Sequence, residues 1–362
     1  MTDRRREILF GLGLLLPVLI GFAGVEWLLQ KREAAMVERK VDWSGLRAQA
    51  AIGDPDRVLF KPGAQFGNIS FNALGFRGPD IALPKPAGTI RIMFLGDSKT
   101  FAGEVREEQA LAAQSIAKLR ALHPRCSFDY VNVSGPQYSL GDLTSLVRAK
   151  RDIIDPDLTV VMAGSATDLI GSLGKRATPP VGPLAANQQP ATSGLSAMIE
   201  QSIAIKTVRR EIGLLSPLTP LDNSAREDLN ILAFRQRWML HQLSSEIGDV
   251  PTMTIAYRTR EKGGSGIASY WLGARRLRTA FPGISAEKAH ATLQLVVDAS
   301  RNHAAAARWR QIDPLKSMIG QPEYYYDRSH FSPLGHAKVG AAVADEAATM
   351  VTEDCRIAPG IR

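Results

Sequence analysis

Cysteine is nearly missing from this 362-residue chain: only Cys126 and Cys355 occur, and their wide spacing offers no metal-ligand motif. Aromatic residues are sparse, at 7%. No dense run of lysine and arginine is interleaved with them, so a nucleic-acid groove is not expected. No internal repeat is present. What remains is ordinary for a folded protein, since 45% apolar and 22% charged residues speak against global disorder. The length suits one large domain or two modest ones with a sizeable core. A net charge of +8 describes a solvated basic surface, of the kind a membrane or an anionic polymer favours as a neighbour.

Long apolar runs are also missing, with one exception at the N-terminus. Arg4, Arg5 and Arg6 precede an uncharged stretch from Ile8 to Val25, about the length that crosses a hydrocarbon core. Glu26 interrupts it before Trp27, Leu28 and Leu29. The basic flank favours leaving that end in the cytoplasm and exporting the rest of the chain. An uncleaved anchor over 1–30 is the favoured reading. A cleaved signal peptide, with Gly21 and Ala23 before the cut, and a buried soluble helix are the alternatives.

Residues 30 to about 55 read as a polar, partly helical stalk. Val58–Phe60 and Asn68–Phe71 then suggest a hairpin about Pro62-Gly63, and Leu74-Gly75-Phe76-Arg77-Gly78 comes next. The expected organisation is therefore an anchor, a stalk with small lead-in strands over 31–88, and a main domain over 89–362. Within that domain, strand-like and helix-like segments alternate. Strands are expected at Ile90–Leu95, Tyr130–Val133, Leu158–Met162, Thr252–Tyr257 and Trp309–Ile312. Helices are expected over 107–122, 141–151, 226–246 and 285–308, with an irregular insertion at about 171–222. Ser332 and Pro333 mark the start of a last helix. Such alternation argues for an α/β fold with a mainly parallel sheet wrapped by helices.

Two clusters carry chemistry. Leu95-Gly96-Asp97-Ser98 follows the first strand of the main domain and precedes a helix. A serine there sits at the carboxyl edge of the sheet, where ligands bind in open α/β folds. Backbone N–H groups at the helix start favour developing negative charge, and Gly96 allows a tight turn. Far along the chain, Asp327-Arg328-Ser329-His330 places a carboxylate and an imidazole on one turn. Asp327 can then orient His330, and His330 can take the proton of Ser98, making it a nucleophile. Each cluster alone has a bland reading, as a turn before a helix or as a surface loop.

Together, Gly96-Asp97-Ser98-Lys99-Thr100-Phe101 and Asp327-Arg328-Ser329-His330-Phe331-Ser332-Pro333-Leu334-Gly335-His336 resemble the opening and closing blocks of the SGNH (GDSL) hydrolase superfamily. The resemblance spans roughly 54–350, and Asn72-Ala73-Leu74-Gly75-Phe76-Arg77-Gly78 looks like bacterial, membrane-anchored relatives. It implies a three-layer α/β/α, flavodoxin-like fold and a Ser98–His330–Asp327 triad cleaving or transferring an O-acyl group. It further implies an oxyanion hole made by the Ser98 backbone N–H, one from Gly135 or Gln137, and a side chain in a GxND block. Here that block reads Ser165-Ala166-Thr167-Asp168, so Thr167 replaces the asparagine and its shorter side chain puts that donor in question.

No metal or organic cofactor is implied. The expected partners are an acylated glycan or small ester, the membrane and other envelope components, with the domain on the periplasmic side of a bacterial inner membrane. A lipase or lysophospholipase, or an inert SGNH-like binding module, are the rival readings. In the implied fold Cys126 and Cys355 fall on the edge opposite the active site, where a disulfide can join them. His336 reads as structural, and His123, His241, His290 and His303 as surface residues. Tyr324, Tyr325 and Tyr326 suit a substrate cleft or the core equally.

Overall fold

The computed structural model describes residues 17, 20–28, 60–67, 69–136, 138–162, 229–256, 286–326 and 330–358. The chain divides into two compact units, Met1–Arg39 with Pro179–Leu218, and Lys40–Thr178 with Thr219–Arg362. In the first, residues 20–28 are helical and largely exposed. Among the described residues no helix is long and apolar enough to cross a membrane. Much of the expected anchor, and all of the 171–222 insertion, lie outside the described residues.

The centre of the second unit is a five-stranded, all-parallel sheet formed by β3 (Thr89–Gly96), β4 (Ser127–Ser134), β5 (Leu158–Met162), β6 (Thr252–Ile255) and β7 (Arg310–Ile312), in the order β4-β3-β5-β6-β7. Successive strands lie on opposite sides of β3, so the order reverses there. Side chains alternate across β3. Ile90, Ile92 and Phe94 join the apolar core under α2 (Leu111–Leu122) and α6 (Pro333–Ala348). Met93 and Leu95 join the opposite core, under α3 (Leu140–Ile154) and α4 (Leu229–Ile247), with Ala299 of α5 (Ala286–Ala306). Both faces of the sheet are thus covered, as an all-parallel sheet requires. Ser139 caps α3 by accepting from Asp142 N–H at 3.2 Å, while the Asp142 carboxylate accepts from Ser139 N–H at 2.7 Å. Ser332 caps α6 as expected, accepting from Gly335 N–H at 3.2 Å.

Arg91, which breaks the apolar run of β3, is fully buried, and each of its three nitrogens donates. It donates to both Asp129 carboxylate oxygens at 2.8 and 2.7 Å, and to the Ile154 and Ala82 carbonyls at 2.9 Å. A buried guanidinium is tolerated because each of these donors finds an acceptor.

The lead-in segment packs into the main core. Phe60, Ile69, Phe71 and Phe76 are buried with Met93, Leu95 and Phe101, and Phe60 stacks on Phe71 with centroids 4.2 Å apart. The hairpin turns later than the sequence suggests. β1 (Gln65–Phe66) pairs with β2 (Ile69–Ser70) around Gly67, whose φ of 58° suits a glycine. The helix expected over 107–122 is interrupted as well. A 3-10 turn, Glu107–Gln109, is followed by extended Ala110 before α2 begins. Glu107 is drawn off to Arg77 and Tyr130, each at 2.6–2.7 Å, and Gln109 accepts from Arg106 N–H. Cys126, just before β4, is disulfide-bonded to Cys355, beyond α6, with Cα atoms 5.3 Å apart.

Candidate active site

The loop after β3 is shaped by a lack of room. A Cβ on Gly96 would come within 2.0 Å of Thr100 Oγ1 and 2.8 Å of the Met162 carbonyl. Close approach to β5, rather than a left-handed turn, is why glycine stands here. Asp97 caps α1 (Ser98–Phe101), accepting from Lys99 N–H at 3.0 Å. Four residues make a single turn, so the dipole of a long helix is not available. Ser98 contributes instead a backbone N–H that has no acceptor within the turn. Burial pushes the Asp97 carboxyl above its ordinary range, opposed by the Lys99 ammonium, the Lys99 N–H and His330.

His330 approaches from the other end of the chain. Its Nε2 lies 2.9 Å from Ser98 Oγ. With the ring neutral and its proton on Nδ1, the hydroxyl donates to Nε2, the arrangement a general base needs. The loop carrying His330 is closed at its base. Tyr326 N–H donates to the His330 carbonyl and Ser332 N–H to the Tyr324 carbonyl, each at 2.9 Å. Below it, Tyr325 and Phe331 are buried in the core with ring centroids 5.6 Å apart, so the tyrosine row belongs partly to packing. Asp327 lies outside the described residues. Gln137 and Thr167 are outside them too.

Gly135 is described. Gly96 pairs with Ser134, so Gly135 leaves the sheet beside Asp97 and Ser98. A Cβ there would lie 2.2 Å from the Tyr138 ring, which accounts for a glycine at this position. Asn132, fully buried, ties β4 to the Ser98 turn by donating to the Thr100 carbonyl at 3.1 Å and accepting from Ser134 Oγ.

Three neighbours of the site, Arg77, Lys99 and Glu104, have roles that the sequence does not assign, although the first two stand in the blocks that carry the family resemblance. Arg77, fully buried, donates to the Phe101 and Val105 carbonyls at 2.7 Å and to that of Ala102, and pairs with Glu107 at 2.7 Å. It clamps the loop that follows Ser98, which turns at Ala102 with a φ of 59°. Within that loop, Glu104 places Oε1 3.7 Å from His330 Nε2. Lys99 is buried beside Asp97, its ammonium 6.0 Å from the Phe331 ring centroid. His336, by contrast, is buried edge-on against Phe331, and burial lowers its pKa to about 3, so it stays neutral. That is the structural role expected of it.

A cavity of about 790 Å³ opens at the other end of the strands, lined in part by Lys85, Asp157, Asp249, Trp309 and Arg356. It includes neither Ser98 nor His330, which meet at the carboxyl edge of the sheet. Among the described residues no three His, Cys, Asp or Glu side chains converge where a metal ion could bind.

Neither a protein-family model nor a curated protein matches the chain. Solved structures do. A lipase/acylhydrolase from Enterococcus faecalis is 17% identical with a TM-score of 0.42, covering 72% of this chain and 96% of its own. A catalytic mutant of an acetylxylan esterase from Geobacillus stearothermophilus is 14% identical with a TM-score of 0.40, covering 71% and 93%. A lipolytic protein of the G-D-S-L family from Desulfitobacterium hafniense is 10% identical with a TM-score of 0.37, covering 70% and 98%. The chain is thus distantly similar to solved proteins named as esterases and lipolytic enzymes.

Proposed function

We propose that this protein is a serine ester hydrolase of the SGNH type, with Ser98 as nucleophile and His330 as general base. The observation that carries the reading is the 2.9 Å approach of His330 Nε2 to Ser98 Oγ at the carboxyl edge of the sheet. In acylation the Ser98 proton passes to Nε2 as Oγ bonds to the ester carbonyl carbon. Collapse of the tetrahedral intermediate breaks the bond to the leaving oxygen, which takes the proton from Nε2. Water, or a sugar hydroxyl in a transferase, resolves the acyl-enzyme by the reverse route. Asp327 orients the imidazole, and the Ser98 N–H, an N–H of the Gly135–Gln137 loop and Thr167 hold the oxyanion. The substrate class is an O-acylated, chiefly acetylated, carbohydrate or other envelope ester. The setting is the periplasmic face of a bacterial inner membrane, reached through the N-terminal anchor. The basic surface and the Ile8–Val25 stretch support that setting.

The test is turnover of p-nitrophenyl acetate by the purified protein and by Ser98→Ala, with fluorophosphonate labelling in parallel. Turnover and labelling that vanish in the variant are expected. Equal silence of both proteins towards ester and probe would sink the hydrolase reading and leave an SGNH-like binding module.

A further inference from the structure

The nucleophile loop brings a second carboxylate to the site, one that neither the proton relay nor the oxyanion hole uses. Glu104 lies six residues after Ser98, and the chain returns to the site because Ala102 takes up the left-handed conformation. Arg77 then fixes the carbonyls on both sides of Glu104, those of Phe101, Ala102 and Val105. The Glu104 side chain is only 12% exposed, and its Oε1 is 3.7 Å from His330 Nε2, the nitrogen that faces Ser98 Oγ.

Position decides what such a carboxylate can do. Nε2 must return its proton to the leaving oxygen, so that oxygen comes within about 2.6–3.2 Å of it during acylation. Glu104 therefore flanks the alcohol half of the ester, not the acyl half. An ionised carboxylate offers acceptor positions only, about four of them, so engagement by one neighbour does not exhaust it. A hydroxyl on the carbon next to the ester oxygen can donate to it. An alkyl or ether group there would desolvate a charge without supplying a donor, and an anionic group would meet a like charge.

We infer that Glu104 is a specificity-determining residue that selects esters of polyhydroxy alcohols with a free hydroxyl beside the ester oxygen, and rejects anionic alcohols. The inference rests on Ser98 and His330 acting as proposed. Sugar and glycerol esters share this chemistry.

The experiment compares kcat/KM of the full-length protein on 2-hydroxyethyl acetate, 2-methoxyethyl acetate and the anion acetoxyacetate, in wild type, Glu104→Gln and Glu104→Met. A hydrogen bond to a charged group implies roughly a tenfold or greater preference of wild type for the hydroxyethyl over the methoxyethyl ester. That ratio should shrink in Glu104→Gln and approach one in Glu104→Met, while the relative rate on acetoxyacetate rises. Monoacetylglycerol and a monoacetylated methyl xyloside distinguish the two sources, the natural class being the one whose rate falls further on substitution. Ratios that do not change, or an equal fall for every ester, overturn the assignment. The equal fall would mean that Glu104 positions His330 instead. Turnover that survives Ser98→Ala overturns the nucleophile itself and this inference with it, whereas Ser98-dependent turnover with unchanged ratios removes only the role of Glu104.

Discussion

Replacing Arg77 by lysine should loosen the active site from behind. The guanidinium is completely buried and serves the Phe101, Ala102 and Val105 carbonyls and the Glu107 carboxylate at once. A lysine keeps the charge but presents a point donor in place of a planar fork, so it cannot reach all four. Two carbonyls left without a partner amount to about 1–3 kcal/mol each, and the weakened ion pair adds to that. The expected loss from the two carbonyls is roughly 2–6 kcal/mol. This is a large share of the about 5–15 kcal/mol that holds a typical domain together. Urea unfolding gives the stability change, and the rate of fluorophosphonate labelling of Ser98 reports the site. The labelling rate should fall under conditions where the variant is still folded, because the clamp holds the loop that leaves Ser98. An unfolding midpoint and a labelling rate both equal to wild type would refute the reasoning.

Gly96→Ala should be severely destabilising and abolish labelling, since its Cβ would overlap Thr100 Oγ1 and the Met162 carbonyl; a soluble, active variant would contradict the close-approach argument. Cys126→Ser should lower stability by about 2–5 kcal/mol in non-reducing urea titrations, towards the upper end because the disulfide spans a sequence separation of 229 residues. An equal effect of reductant on wild type and variant would count against this. His336 binds no proton in the folded state until about pH 3, whereas the unfolded chain binds one from about pH 6.5. Its contribution to stability is therefore lost as pH falls from 6.5 towards 3, at about 1.4 kcal/mol per pH unit. His336→Leu should show a shallower decline over that window, and parallel curves for the two proteins would reject the assignment.

The alternation of apolar runs along the chain was enough to read five strands and most of the helices, because periodicity reports which side of an element is buried. Leu158–Met162 coincides with β5, and Ser332-Pro333 marks the start of α6. The serine and histidine were legible for another reason: their residue types stand beside local signals, the end of a strand and the cap of a helix. The break at Ala110 was hidden because the residues that cause it, Glu107 and Gln109, are good helix formers recruited by Arg77, Tyr130 and Arg106 N–H. The role of Arg77 was equally hidden, since three of its four partners are backbone carbonyls, which have no signature in sequence. By itself, then, the sequence determined the order of elements and the candidates for chemistry, through patterns that act over a few residues. Only the tertiary structure decided that Ser98 and His330, 232 positions apart, meet at 2.9 Å with Glu104 beside them. That meeting depends on a parallel sheet returning every strand to the same edge, a property of the assembled layers that no local pattern contains.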